Sequence, residues 1–246
     1  MRPRFHVPGV TAASASAELP EDEAEHLVRV LRLGVGDQVE VFDGRGGLWR
    51  AEVVLATKKS AAIRALEPLP AARELSVQLT LVASVLKGDK MDDVVRDAVM
   101  LGVAAVQPVV SERTEASMAA MARSSRVARW QRIAVSSAKQ CGRAVVPPIH
   151  PAMPLDWYWN EATPAARVLC VEPALALGDV CPVQSVAKPT ALHLIVGPEG
   201  GWTVTEVAAA HDSGAILMSL GSRTLRADAV PIVALVALLT AWGELT

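Results

Sequence analysis

From residue 77 onward, short apolar runs alternate with segments whose apolar side chains recur every three or four positions, and this alternation restricts the fold more than any other feature of the chain. Residues 77–86 form an apolar run of strand type. Residues 89–101 place Met91, Val94, Val95, Ala98 and Leu101 on one helical face, and residues 103–110 are strand-like again, which completes a βαβ unit. A second helix is predicted over 125–140, where Val127, Trp130, Ala134 and Ala138 follow the helical spacing and the basic residues lie mostly off that stripe. Strands follow at 167–171, 192–196 and 216–220, with a helix at 203–211 and a final helix at 229–242. Such an order predicts an α/β domain with a mainly parallel sheet.

Residues 1–70 have a different texture. Strand-type segments at 38–42, 48–55 and 61–66 surround the turn Asp43-Gly44-Arg45-Gly46-Gly47, a hairpin signal, and one short helix is predicted at 21–31 from Ala24, Leu27, Val28 and Leu31. This pattern predicts a small β-barrel. Pro68-Leu69-Pro70-Ala71-Ala72 has no periodicity of its own, so the expected domains are residues 1–70 and 73–246.

With 51% hydrophobic residues the chain can bury a large core. Its longest strongly apolar stretch, 229–242, contains Pro231 and falls short of the roughly 20 residues of a membrane span, so a buried helix is expected there and no membrane association. The opening MRPRFHVPGV lacks the apolar run of an export signal, which places the expected location in the cytoplasm. Cys141, Cys170 and Cys181 show no CxxC spacing and read as reduced thiols, and the five histidines show no ligand spacing, so no metal is expected. The net charge of −2 conceals a basic stretch: residues 111–143 carry seven Lys and Arg against Glu112 and Glu115. That surface suits phosphate contacts, and a solvated helix face accounts for it equally well.

In open parallel sheets, ligands bind beyond the carboxyl ends of the strands. Two turns there stand out: Gly197-Pro198-Glu199-Gly200-Gly201 after the strand at 192–196, and Leu220-Gly221-Ser222-Arg223-Thr224-Leu225-Arg226 after the strand from 216. The glycines let backbone approach a flat ligand, or simply make a tight strand-to-helix turn. Thr203 and Glu206 have capping-box spacing for the helix that follows. Neither a P-loop nor G-x-G-x-x-G is present, so a nucleoside without polyphosphate is the compatible nucleotide ligand. No G-x-S-x-G elbow occurs.

His193-Leu-Ile-Val-Gly-Pro-Glu-Gly-Gly-Trp-Thr and Leu220-Gly-Ser-Arg-Thr-Leu-Arg-Ala-Asp-Ala together resemble the paired signatures of the 16S ribosomal RNA uracil-N3 methyltransferases, a branch of the SPOUT superfamily. Lys87-Gly-Asp-Lys-Met-Asp, Leu101-Gly-Val, Ser111-Glu-Arg and Lys139-Gln-Cys-Gly-Arg stand in the order that family uses. His26-Leu-Val-Arg-Val-Leu-Arg and Val41-Phe-Asp-Gly-Arg-Gly resemble its PUA-like RNA-binding barrel. Two departures occur: Asp228-Ala229 replaces the usual Glu-Thr, and Lys139 replaces a more usual acid, which adds to the basic arm.

The resemblance implies a C-terminal domain with a trefoil knot, a homodimer with the active site near the interface, and methyl transfer to a uridine of 16S rRNA in the decoding region of the small ribosomal subunit. It implies S-adenosylmethionine held by Val196, Gly197, Gly200, Leu220, Gly221 and Leu225, largely through backbone groups. Loss of the uracil N3 proton leaves charge on the ring oxygens, which a cation stabilises. Arg226 is the candidate, and the same guanidinium can instead hold a target phosphate or pair with Asp228. Glu199 is either a proton acceptor or a charge at a helix start. Arg4, Arg29, Arg32 and Arg45 of the barrel, with Arg129, Arg132 and Arg143, are the expected phosphate contacts. A non-catalytic dimeric RNA-binding protein of the same fold, or an enzyme acting on a small nucleotide, are the competing expectations.

Overall fold

The computed structural model describes residues 2–12, 16–161, 163–175 and 180–245, and divides into two compact units, Met1–Glu74 with Val135–Val146, and Leu75–Ala134 with Pro147–Thr246.

In the first unit, β1 (Arg4–His6), β2 (Ala17–Glu18), β3 (Gln38–Phe42), β4 (Leu48–Ala56) and β5 (Ala61–Pro68) form one curled sheet in the order β1-β3-β4-β5-β2. β1 runs parallel to β3 and every other pairing is antiparallel. The β3–β4 hairpin turns where the Asp-Gly signal placed it, because Asp43 Oδ1 accepts from the amides of Arg45 (2.7 Å) and Gly47 (2.9 Å). Alternation along β3 and β4 sends Val39, Val41, Ala51 and Val53 into a core with Phe5, Leu27 and Ile63. The helix expected at 21–31 divides into α1 (Glu21–Glu25) and a π-helical turn, His26–Val30, closed by the Leu31 amide on the His26 carbonyl (3.0 Å).

Two basic side chains hold Val135–Val146 in this unit. Lys139 Nζ donates to both oxygens of the buried Glu23 (2.9 and 2.7 Å), and Arg143, itself buried, is held by Glu74. The positive charge that Lys139 was expected to add to the basic arm is therefore neutralised by Glu23 where it sits.

The second unit holds β6 (Gln78–Ser84), α2 (Lys90–Met100), β7 (Ala105–Val110) and α3 (Met118–Arg123), followed by α4 (Arg126–Cys141), whose residues from Val135 onward belong to the first unit. Next come β8 (Met153–Pro154), α5 (Leu155–Asn160), β9 (Ala166–Cys170), β10 (Cys181–Pro182), β11 (Ala191–Val196), α6 (Val204–Asp212), β12 (Ile216–Ser219) and α7 (Val230–Ala241). The seven strands form a wholly parallel sheet in the order β10-β12-β9-β11-β6-β7-β8. The expected α/β class is what the chain adopts.

β6 and β11 pair along their length, Gln78 with Ala191 through to Ala83 with Val196, and their near-continuous apolar sequence suits strands covered on both faces. α2 buries Met91, Val94, Val95, Ala98 and Val99, and α6 starts on the capping box of Thr203 and Glu206 that its spacing predicted. Val82, Val109, Leu169, Ile195 and Leu217 build the core with Trp202 and Tyr158. α7 differs from expectation. It is apolar all round, and this chain covers only the side with Ala234, Leu235, Leu238 and Leu239, leaving Ile232, Val233 and Val236 37–39% exposed. No helix among the described residues is long and apolar enough to cross a membrane.

Candidate functional site

β12, β9 and β11 are neighbours, and the segments that leave their carboxyl ends enclose a cavity of about 290 Å³. Val171–Pro173 follows β9, the glycine turn 197–201 follows β11, and 220–230 runs from β12 into α7; Lys90, from the start of α2, completes the wall. Of the residues singled out in sequence, Gly197, Gly200, Leu220, Gly221, Leu225, Glu199 and Arg226 all line this one cavity. Val196 does not; it is buried at the end of β11, paired with Ala83.

The glycines of the first turn are required by protein neighbours. A Cβ on Gly197 would stand 2.9 Å from Trp202 Cε2, one on Gly200 would stand 2.8 Å from Arg113 Cβ, and one on Gly201, whose φ is +68°, would overlap the Glu172 carboxylate. Trp202 is buried and its Nε1 donates to the Cys170 carbonyl (2.8 Å). Arg113 Nη1 donates to the carbonyls of Gly200 (3.0 Å) and Trp202 (3.2 Å), and the neighbouring Glu112 amide donates to Glu206 Oε1 (2.8 Å). The loop after β7 thus clamps both the turn and the helix cap. Its own bend is set by Ser111 and Thr114, whose hydroxyls are 2.8 Å apart.

The charges at the cavity are mostly paired. Lys90 Nζ donates to Glu199 Oε1 (2.9 Å) and the Lys87 amide reaches the same oxygen (3.2 Å). Burial pushes the Glu199 carboxyl up, but these hydrogen bonds outweigh it, so the group lies below the ordinary carboxylate value. Arg226 pairs with Asp228 through Nε (3.2 Å) and Nη2 (3.3 Å), with its side chain largely exposed at the rim. The shorter Asp228 therefore still reaches its neighbour. Burial pushes the Cys170 thiol up to about 12, which keeps it protonated and chemically quiet.

The candidate phosphate contacts divide. Arg29, Arg32, Arg45, Arg129 and Arg132 are exposed; Arg29 pairs with Glu25 and Arg129 with Asp89 and Asp92, whereas Arg32 and Arg132 have no partner among the described residues. Arg143 is 5% exposed and held by Glu74, and Arg4 donates to the carbonyls of Lys139 (3.4 Å) and Arg143 (3.2 Å). These two are corrections: their guanidinium groups are consumed in holding the first unit together and are not surface phosphate contacts. Sequence reasoning missed Lys90, Glu172 and Arg113. Glu172 directly follows the strand predicted at 167–171, so the strand-end rule was available for it; Lys90 and Arg113 stand in segments that carried the resemblance, Lys87-Gly-Asp-Lys-Met-Asp and Ser111-Glu-Arg, but no role was read for either, and Arg113 lies 87 residues from Gly200.

A family model described as an RNA methyltransferase domain matches residues 73–239, and one described as an RNA methyltransferase PUA domain matches 19–66. The ribosomal RNA small subunit methyltransferase E of a Synechocystis strain is 32% identical over 90% of this chain and 72% of its own length. This chain belongs to the ribosomal RNA small subunit methyltransferase E family. The crystal structure of a methyltransferase E from Neisseria gonorrhoeae, bound to S-adenosyl methionine, superposes with a TM-score of 0.90 at 32% identity, over 100% of both chains. A Legionella pneumophila methyltransferase in complex with SAM gives 0.88 at 28% identity over 98% of each. The two glycine turns and the clamp on the first of them are thus features of an RNA methyltransferase.

Proposed function

We propose that this methyltransferase transfers a methyl group from S-adenosylmethionine to N3 of a uridine in the decoding region of 16S rRNA, acting on the small ribosomal subunit in the cytoplasm as a homodimer. The observation that carries the reading is the single cavity bounded by both glycine turns at the carboxyl edge of the parallel sheet. The cavity suits the cofactor: it is of nucleoside size, and Gly221, at φ +109° with nothing within 4 Å of its Cβ position, leaves open space beside backbone. When bound, S-adenosylmethionine supplies an already activated methyl group on a sulfonium. Backbone of Gly197, Gly200, Leu220, Gly221 and Leu225 would hold the cofactor, and the Arg113 clamp fixes the first of these turns. Alignment by these rigid segments is the main contribution of the protein.

Arg226 stabilises the charge that develops on the uracil oxygens as the N3 proton leaves. Glu199, held ionised by Lys90, accepts that proton and returns it to solvent. Arg29, Arg32, Arg45, Arg129 and Arg132 contact phosphates, so affinity for RNA falls steeply with salt. The exposed apolar face of α7 supports the dimer, and a break near residues 70–73 between an RNA-binding barrel and a knotted catalytic domain completes the reading.

The test is transfer of labelled methyl to small subunits that lack the modification, with large subunits and naked 16S rRNA alongside, followed by nucleoside analysis. N3-methyluridine on small subunits is expected. Cofactor binding without label on any RNA would leave a non-catalytic RNA-binding protein. Arg226→Ala should abolish turnover while cofactor affinity holds; turnover within a few-fold of wild type removes Arg226 from the mechanism.

A further inference from the structure

We propose that Glu172 is the group that recognises positive charge on the bound methyl donor. The inference rests on the reading of the cavity as the S-adenosylmethionine site. Glu172 leaves the carboxyl end of β9, the strand between those that carry the two glycine turns, and lines the same cavity. Its carboxylate lies against the backbone of Gly201, filling the place a side chain there would need. The turn is therefore shaped around this carboxylate, which is confined between backbone and cavity.

The charges of the cavity single out Glu172. Lys90 is matched by Glu199 and Arg226 by Asp228. Among the described residues, no hydrogen bond or ion pair engages the Glu172 carboxylate or the guanidinium of Arg223, which also lines the cavity. One unmatched negative group and one unmatched positive group remain. The donor carries the complementary set: a sulfonium and an ammonium, both positive, and one carboxylate. A carboxylate on the wall of a concave site attracts a cation there more strongly than one in bulk water. The neutral thioether left after transfer has lost one of the two positive centres.

Isothermal titration of wild type and Glu172→Gln with three ligands tests this. S-adenosylmethionine carries both positive centres, S-adenosylhomocysteine only the ammonium, and 5′-methylthioadenosine neither. Glu172→Gln should weaken S-adenosylmethionine about ten- to hundredfold, the loss of one charge-assisted contact, and leave 5′-methylthioadenosine within about twofold. An equal loss for S-adenosylhomocysteine assigns the contact to the ammonium, and no loss assigns it to the sulfonium. Unchanged affinity for S-adenosylmethionine would overturn the proposal, and so would equal weakening of all three ligands, which marks a role in pocket shape alone. A wild-type protein that fails to bind S-adenosylmethionine removes the cofactor reading and this inference with it, whereas wild-type binding with an unaffected variant removes the inference alone.

Discussion

Gly197→Ala adds one methyl group where the structure has no room for it. The new Cβ would lie 2.9, 3.2 and 3.3 Å from Cε2, Nε1 and Cδ2 of Trp202. That indole cannot turn aside, because it is buried and its Nε1 is spent on the Cys170 carbonyl at 2.8 Å. Forcing a methyl group into a packed core costs about 1–3 kcal/mol, and breaking the indole hydrogen bond adds about 1 kcal/mol. A loss of about 2–4 kcal/mol follows, which for a chain of this size lowers the melting temperature by about 4–16 °C. Thermal unfolding followed by near-ultraviolet circular dichroism measures it, with Gly34→Ala as control, since nothing lies within 4 Å of the Cβ position at Gly34. S-adenosylmethionine affinity of the Gly197→Ala protein should fall as well, because the turn must shift. A Gly197→Ala protein that melts within about 1 °C of wild type would refute the argument that Trp202 fixes this glycine.

Arg113→Ala releases the carbonyls of Gly200 and Trp202 and should weaken S-adenosylmethionine binding about tenfold by calorimetry, with added guanidinium restoring part of the loss. Lys139→Met strands the buried Glu23 carboxylate and should cost about 2–4 kcal/mol in urea unfolding, whereas Glu23→Leu combined with Lys139→Met recovers most of it. Glu244, held by Lys188 and Ser76, has its carboxyl pushed down to about 2 from an ordinary 4.5. Its contribution to stability is therefore fully present above about pH 4.5 and lost as pH falls toward 2, so Glu244→Gln should flatten the acid limb of the stability profile while altering the neutral region through the lost pairing alone.

The long elements of the second unit were legible because each spans enough residues to show its period: the stripe Met91-Val94-Val95-Ala98 and the apolar run at 192–196 sit where spacing placed them. β2, β8 and β10 were not, since strands of two residues carry no period. The glycine turn was found for only part of the reason it exists. Local sequence permits backbone near a ligand, but the demand for glycine at 197, 200 and 201 comes from Trp202, Arg113 and Glu172, and two of these arrive from other strands. Arg143 shows the opposite failure: a basic residue in a basic stretch reads as surface charge until its partner Glu74, 69 residues away, is known.

β9 has a place in the sheet that its chain order does not suggest. Both of its neighbours, β11 and β12, are made after it, and β12 must enter between β9 and β10, two strands already synthesised. No earlier strand offers it an edge on which to settle, and β6, which finds β7 close by in the chain, has its other neighbour 113 residues further along, Gln78 beside Ala191. Topologies dominated by such distant pairings fold slowly. The pocket walls come together only where β11, β9 and β12 lie side by side, so a chain in which β12 has not docked would lack one wall of the cavity and show open sheet edges.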